Sequence, residues 1–274
     1  MLILTKGSID EGNTKYAQGG IAAAIGRDDS PRLHYEDTMA AGAGLCDPDA
    51  VRILTEEAPA RITDLIRFGV PFDTNDGEVA LTREAAHSVN RILHAGGDAT
   101  GEHIELTLAS LARLRNISIL EHAQATHILM DRGAACGVEA MDTRMHSTLA
   151  YEGRHVILAS GGAGRLFTLT TNPEVTTGDG IALAYRAGAA LADMEFFQFH
   201  PTALRLPGAA VFLISEAVRG EGGVLRNNKG ERFMLDYHPQ GELAPRDVVA
   251  RSIVDQMQRS GEDHVYLDIT HLPS

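Results

Sequence analysis

Residues 155–164, His-Val-Ile-Leu-Ala-Ser-Gly-Gly-Ala-Gly, constrain this chain more than any other stretch. A continuous apolar run without alternation over 155–159 predicts a strand buried on both faces, as in a parallel sheet covered by helices. The glycines that follow fall just past the carboxyl end of that strand, where open α/β sheets bind ligands. The expected class is therefore α/β. GGxG is also compatible with a plain strand-to-loop turn, and the GxGxxG dinucleotide fingerprint does not occur in this sequence.

The remaining pattern supplies further elements. Residues 2–5 read as a short buried strand, and 7–26 as an irregular stretch rich in Gly and Ala. Asp47-Pro48 is an N-cap followed by proline at the first helical position. Behind it Val51, Leu54, Ala58, Ile62, Leu65 and Ile66 recur at helical spacing as far as Gly69, and Pro59 is expected to bend or split that helix. A second helix is predicted over 102–115. Strands are predicted at 117–120, 126–130 and 137–141; with turns and no helix between them they suggest an antiparallel meander. Helices over 181–187 and 245–258 and a strand over 265–270 follow. Composition shifts near Met194, where Phe196, Phe197 and Phe199 cluster, and the domain boundary is placed there.

Charge and cysteine content exclude several functions. The net charge of −13 disfavours a nucleic acid or an anionic membrane as the main partner. Of the 24 basic residues 21 are Arg, the better fork for carboxylates and phosphates, although genome composition gives the same bias. Cys46 and Cys136 lie far apart with no CxxC, so neither a zinc site nor a redox dithiol is expected, and a reducing cytoplasm fits. No apolar run approaches the roughly 20 residues that span a bilayer, and the opening MLILTKGSIDEG does not read as a signal peptide.

Six motifs carry chemistry, each with a plain structural alternative. Asn13-Thr14-Lys15-Tyr16-Ala17-Gln18-Gly19-Gly20 lets backbone approach a flat ligand, or is simply a glycine-rich connector. Ser160-Gly161-Gly162-Ala163-Gly164 is the loop described above. Asp179 opens a helix as an N-cap, or faces a sugar hydroxyl. Gln198-Phe199-His200-Pro201-Thr202 gathers donors around an anion, or is a histidine held in a turn. Ser215-Glu216-Ala217-Val218-Arg219-Gly220 places Glu216 and Arg219 on one helical face as an ion pair, before glycines that favour a functional loop. Ala244-Pro245-Arg246-Asp247 opens the last helix. There Arg246 opposes the macrodipole and, with the helix start, suits a carboxylate; otherwise it is a surface arginine held by another acid.

In this order and at these distances the motifs resemble the flavoprotein family of the succinate dehydrogenases and fumarate reductases, and within it the L-aspartate oxidases. The matching stretches include NTKYAQGGIAA, TREAAHS, RILHAGGDATGEHI, LASGGAGRLF, TTNPEVTTGDGIALAYRAGA, EFFQFHPTAL, SEAVRGEGG and LAPRDVVAR. The resemblance implies a Rossmann-like FAD-binding sheet domain with a β meander over 1–193, and part of an α+β capping domain over 194–274. It implies FAD contacts at Lys6, Asn13, Thr14, Lys15, Tyr16, Ala17, Gln18, Gly19, Gly20, Ser160, Gly161 and Asp179. Succinate dehydrogenases carry a flavin-linked histidine before AQGG; Asn13 lines up there and cannot form that bond, so the FAD is expected to be non-covalent.

For the substrate, the resemblance implies a dicarboxylate among His200, Thr202, Ser215 and Glu216, with Arg246 as the proton-shuttling residue. An arginine shuttles a proton only where its site tunes it and relays onward. Glu84 matches an acid that aspartate oxidases carry where fumarate reductases tend to have Phe, and it would hold the substrate ammonium. The implied activity is oxidation of L-aspartate to iminoaspartate, the first step of NAD biosynthesis, with oxygen or fumarate as acceptor. A fumarate reductase or succinate dehydrogenase flavoprotein, or a non-catalytic fragment, is the alternative. Small dicarboxylates are the expected partners, with no metal, nucleic acid or membrane, in the cytoplasm. The family's glycine-fingerprint strand and its C-terminal part lie outside this sequence, so an internal fragment is expected. Ser160 and Ser215 stand where the family often has Thr, and Ala85-Ala86 where it often has Gly-Gly.

Overall fold

The computed structural model describes residues 1–84, 86–209 and 211–272; Ala85 of the TREAAHS motif thus lies outside the described residues. The chain forms two compact units. The first comprises Met1–Ala17, Phe68–Val70 and Gly101–Phe196, and the second Gln18–Arg67, Pro71–Thr100 and Phe197–Ser274.

In the first unit β1 (Leu2–Leu4) pairs in parallel with β7 (Ser118–Leu120), Ile3 opposite Ile119. Helix α3 (Thr100–Leu114) leads into β7. The predicted meander exists as β8 (Ala123–Asp131), β9 (Ala134–Asp142) and β10 (Thr148–Glu152), ordered β10-β9-β8. Arg132 and Gly133, at φ +48° and +83°, make the two-residue turn between β8 and β9, in the conformation that matches strand twist. The meander differs from expectation at its ends. Segment 117–120 leaves it to pair with β1, and its third strand is the unpredicted β10. Helix α4 (Asp179–Arg186) packs on β8. It begins two residues before the prediction, with Gly178 at φ +77° as its cap, so Asp179 is the first helical residue and not the N-cap.

Residues 155–159 are not a strand. Ile157 is 85% exposed and Leu158 43%. An apolar run becomes a buried strand only where neighbours take up its N–H and C=O groups, and no described strand pairs with this one.

In the second unit β2 (Ile21–Ala22), β6 (Ile92–Leu93) and β5 (Leu81–Thr82) form a small antiparallel sheet in the order β2-β6-β5, and β3 (Thr74–Asn75) pairs with β4 (Glu78–Val79). Helix α1 (Pro31–Ala41) was not predicted, although Ser30-Pro31 carries the cap-and-proline signal; Ser30 Oγ accepts from Leu33 N at 3.1 Å. Helix α2 (Pro48–Phe68) runs unbroken through Pro59. Its buried stripe of Val51, Thr55 and Ile62 lies on both sides of the proline and holds the helix together across the lost bond.

The C-terminal part adds the hairpin β11 (Ala203–Leu204) and β12 (Phe212–Leu213), the pair β13 (Val224–Arg226) and β14 (Tyr266–Asp268), and helices α5 (Ala217–Gly220), α6 (Met234–Tyr237) and α7 (Arg246–Ser260). Leu225, Phe233, Met234, Ala244, Val249 and Ile253 form its core, each side chain but that of Ala244 contributing about 1.5–3 kcal/mol by burial. That core seats the start of α7.

Candidate active site

The β11–β12 hairpin sets the first half of the site. Thr202 O accepts from Ile214 N at 3.1 Å, and Thr202 Oγ1 donates to Ile214 O at 3.1 Å. His200 to Thr202 therefore runs beside Ile214 to Glu216. His200 Nδ1 lies 3.1 Å from Thr202 O and 3.2 Å from Thr202 N, so the tautomer decides which contact forms. Burial, with Arg246 nearby, holds the His200 pKa down and keeps the ring neutral. Ser215 Oγ accepts from Ala217 N at 3.3 Å, which leaves its own hydrogen to donate.

Glu216 is the hub. Its Oε1 accepts from Arg246 Nε at 2.7 Å and from Arg219 Nη2 at 2.6 Å. Burial alone would raise its pKa, but the bond from Arg246 and the charges of both arginines bring it below the usual carboxylate value. The sequence pairing of Glu216 with Arg219 is thus present, and the acid that holds Arg246 is another candidate site residue rather than a surface partner. The arginines differ in setting. Arg246 is 43% exposed at the start of α7, whereas Arg219 is 4% exposed. Burial lowers the Arg219 pKa against the pull of Glu216. Arg219 Nη1 donates to Glu242 O at 2.7 Å, and the Glu242 carboxylate is itself held by Arg232 and by Leu225 N. Sequence reasoning gave Arg219 only as a partner of Glu216; its burial and second anchor make it part of the site.

Glu84 sits on the loop between β5 and β6. Its Oε1 lies so close to Gly19 that a Cβ there would be 3.2 Å away. Gly19 N donates to Asp98 Oδ1 at 2.6 Å. A Cβ at Gly20 would sit 2.3 Å from Ile92 Cγ2 and 2.5 Å from Leu93 O, so glycine is required for the chain to pass β6. Gln18 Oε1 is buried and has no hydrogen-bond partner.

The remaining expected cofactor residues lie in the first unit. Lys6 Nζ donates to Asp179 Oδ2 at 2.8 Å and to Thr177 Oγ1, while Gln124 Nε2 reaches the same carboxylate at 3.3 Å. Burial would raise the Asp179 pKa, but Lys6 and Thr177 outweigh it and keep the carboxylate charged. Asn13 Oδ1 accepts from Thr176 Oγ1 at 3.1 Å. Ser160 packs on α4, its Oγ filling the place of a Gly180 Cβ. A Cβ at Gly161 or Gly162 would meet nothing within 4 Å, so the 160–162 turn has open space beside it. Tyr16 is 51% exposed with its hydroxyl on Glu11, and Ala17 O accepts from Gly101 N at 3.2 Å. Thr14 lies beside Glu105, and the charge of Lys15 acts on Asp10 and Glu105.

In the first unit the room beside the Ser160 loop and the Lys6–Asp179–Thr177 cluster fit a polar, hydroxyl-rich cofactor. Among the described residues no group of three or more His, Cys, Asp or Glu could hold a metal ion. No helix among them is long and apolar enough to cross a membrane.

Comparison with known proteins agrees. The chain belongs to the FAD binding domain family, whose model matches residues 1–274. Within that flavoprotein class it is similar to L-aspartate oxidases. It is 50% identical over 275 residues to the one from Synechocystis sp., covering 98% of this chain and 49% of the relative. With that of Streptomyces coelicolor it shares 49% over 278 residues, covering 98% and 48%. Among solved structures it matches an E. coli quinol fumarate reductase mutant with a TM-score of 0.89 at 34% identity, covering 99% of this chain and 49% of that one. It also matches Mycobacterium smegmatis Sdh1 in complex with UQ1, with a TM-score of 0.83 at 36% identity, covering 98% and 48%. The chain spans about half the length of the curated relatives it matches.

Proposed function

We propose that the protein oxidises L-aspartate to iminoaspartate with non-covalent FAD, as the first step of NAD biosynthesis in the cytoplasm. Oxygen or fumarate takes the electrons onward. The observation that carries this reading is Glu84 against Gly19 of the AQGG segment. A carboxylate there meets a substrate ammonium, which aspartate has and succinate and fumarate lack. FAD, when bound, supplies the two-electron acceptor for hydride from C2.

The chain's own residues orient and relay. Gln18, Gly19 and Gly20, with Lys6, Asn13 to Ala17, Ser160, Gly161 and Asp179, hold the cofactor. Residues 1–193 act as the FAD-binding domain and 194–274 as part of the capping domain. His200, Thr202 and Ser215 bind substrate carboxylate beside two arginines that share one acid. In fumarate reduction Arg246 donates a proton to the substrate carbon and regains one from solvent through Glu216, whose carboxylate takes the proton up and passes it on.

A fumarate reductase or succinate dehydrogenase flavoprotein is the second reading, favoured by the solved structures of that kind at 34–36% identity. A non-catalytic fragment is the third. Absorbance of bound FAD separates the third from the others. Turnover on L-aspartate against succinate, in the holoenzyme from the full reading frame, decides between the first two. Faster oxidation of L-aspartate is expected; faster oxidation of succinate overturns the reading.

A further inference from the structure

Asp29, Asp37, His34, His87, Ser88 and Arg91 form a polar knot around the buried Arg91 beside the Glu84 loop, with Ser88 at its exposed side. Arg91 has no exposed surface. Its Nε and Nη2 donate to the two oxygens of Asp29, at 3.0 and 2.9 Å. Its Nη1 lies 2.9 Å from Asp37 Oδ2, as an ion pair off the hydrogen-bond line. That same Asp37 oxygen accepts from Ser88 N at 2.9 Å and from Ser88 Oγ at 2.8 Å. Burial would raise the Asp37 pKa, but Ser88 and Arg91 together bring it down.

The chain path gives the knot its use. Arg91 N donates to Thr82 O at 3.0 Å and closes the base of the loop that carries Glu84. Ser88 is the far anchor of that loop, and it is fixed to α1 through Asp37. His34 and His87 flank the knot with rings 5.8 Å apart, each with a buried Nδ1 lacking a partner. The Glu84 carboxylate thus stands on a loop tied at its base by Arg91 and at its far end by Asp37.

We propose that Arg91, Asp37 and Ser88 are positioning residues for amine recognition: they hold the 83–88 loop so that Glu84 faces the AQGG segment and discriminates amino dicarboxylates from dicarboxylates without an amine. This rests on the reading of Glu84 given above. A carboxylate displaced by about an ångström loses much of its effect on a reacting ligand.

The test uses the holoenzyme from the full reading frame, with Ser88→Ala, Asp37→Asn, Glu84→Gln and the Ser88→Ala/Glu84→Gln double variant. Ser88 is exposed, so Ser88→Ala leaves the fold intact even if Asp37→Asn does not. The expected result is a KM for L-aspartate raised about 10-fold by Ser88→Ala, with kcat and the KM for fumarate nearly unchanged. The double variant should be no worse than Glu84→Gln alone, since the two act through one group. Amide exchange across 83–88 should rise in Ser88→Ala and stay at the parent rate in Glu84→Gln. If Glu84→Gln leaves the L-aspartate KM unchanged, the reading of Glu84 fails, and this inference with it. If Glu84→Gln raises that KM while Ser88→Ala does not, or the two effects add, the positioning role alone is overturned.

Discussion

Two ionic clusters of the second unit use the same residue types in opposite proportion. Around Arg91 one cation sits between two carboxylates, Asp29 and Asp37, with Arg91 fully buried and Asp29 nearly so. Around Glu216 one carboxylate sits between two cations, and Arg246 reaches solvent. In the first the positive charge is saturated by protein groups, and nothing remains to attract a ligand. The second keeps an excess of positive charge beside His200 and Ser215, which an incoming dicarboxylate would satisfy. Removing a member of a closed, buried cluster strands its partners and costs stability, whereas a cluster left short of an anion has charge to offer one.

Breaking the open cluster should give the largest effect. In the full-length holoenzyme Arg246→Lys keeps the charge but loses the fork, and fumarate turnover should fall about 10²–10⁴-fold. Flavin absorbance should remain at the parent level. Unchanged turnover would return Arg246 to the surface residue that its helix position alone allows.

The closed cluster should respond in stability. Arg91→Met leaves Asp29 buried without its partner and should cost about 3–5 kcal/mol, read by denaturant unfolding. A loss below about 1 kcal/mol would erase the contrast between the clusters.

Glu84→Phe sharpens the comparison at the substrate. L-aspartate binding should weaken by about 1.5–3 kcal/mol, roughly 10- to 150-fold, with fumarate little affected. Equal losses on both substrates would remove the ammonium from the argument.

The smallest effect is set by pH. Burial, then Arg91, lowers the pKa of both His34 and His87 from the ordinary 6.5. Below 6.5 the unfolded chain therefore binds protons that the folded one refuses, and stability falls as pH drops from 7.5 towards 5.5. The slope is at most about 1.4 kcal/mol per pH unit for each histidine. His34→Gln should flatten it. A slope unchanged by that substitution would show that His34 is not held neutral by the knot.

Much of this was legible from local pattern. The helices over 48–68 and 100–114 announced themselves by periodicity, and β8 and β9 by their turn. The run at 155–159 misled because apolarity states a preference, while a strand also needs a neighbour that no local window contains. Glu216 and Arg246 stand thirty positions apart, and only resemblance joined them before the structure did. Asp29 and Asp37 carried no motif at all, and Arg91, though it opens the RILHAGGDATGEHI stretch, was given no role there. Their meaning lies wholly in a fold that brings α1 against the loop between β5 and β6.

The bare 155–159 segment marks a place for a neighbour. Ile157 and Leu158 face solvent and no described strand runs beside them. A continuous apolar run of this kind is surface that another element covers rather than surface made for water.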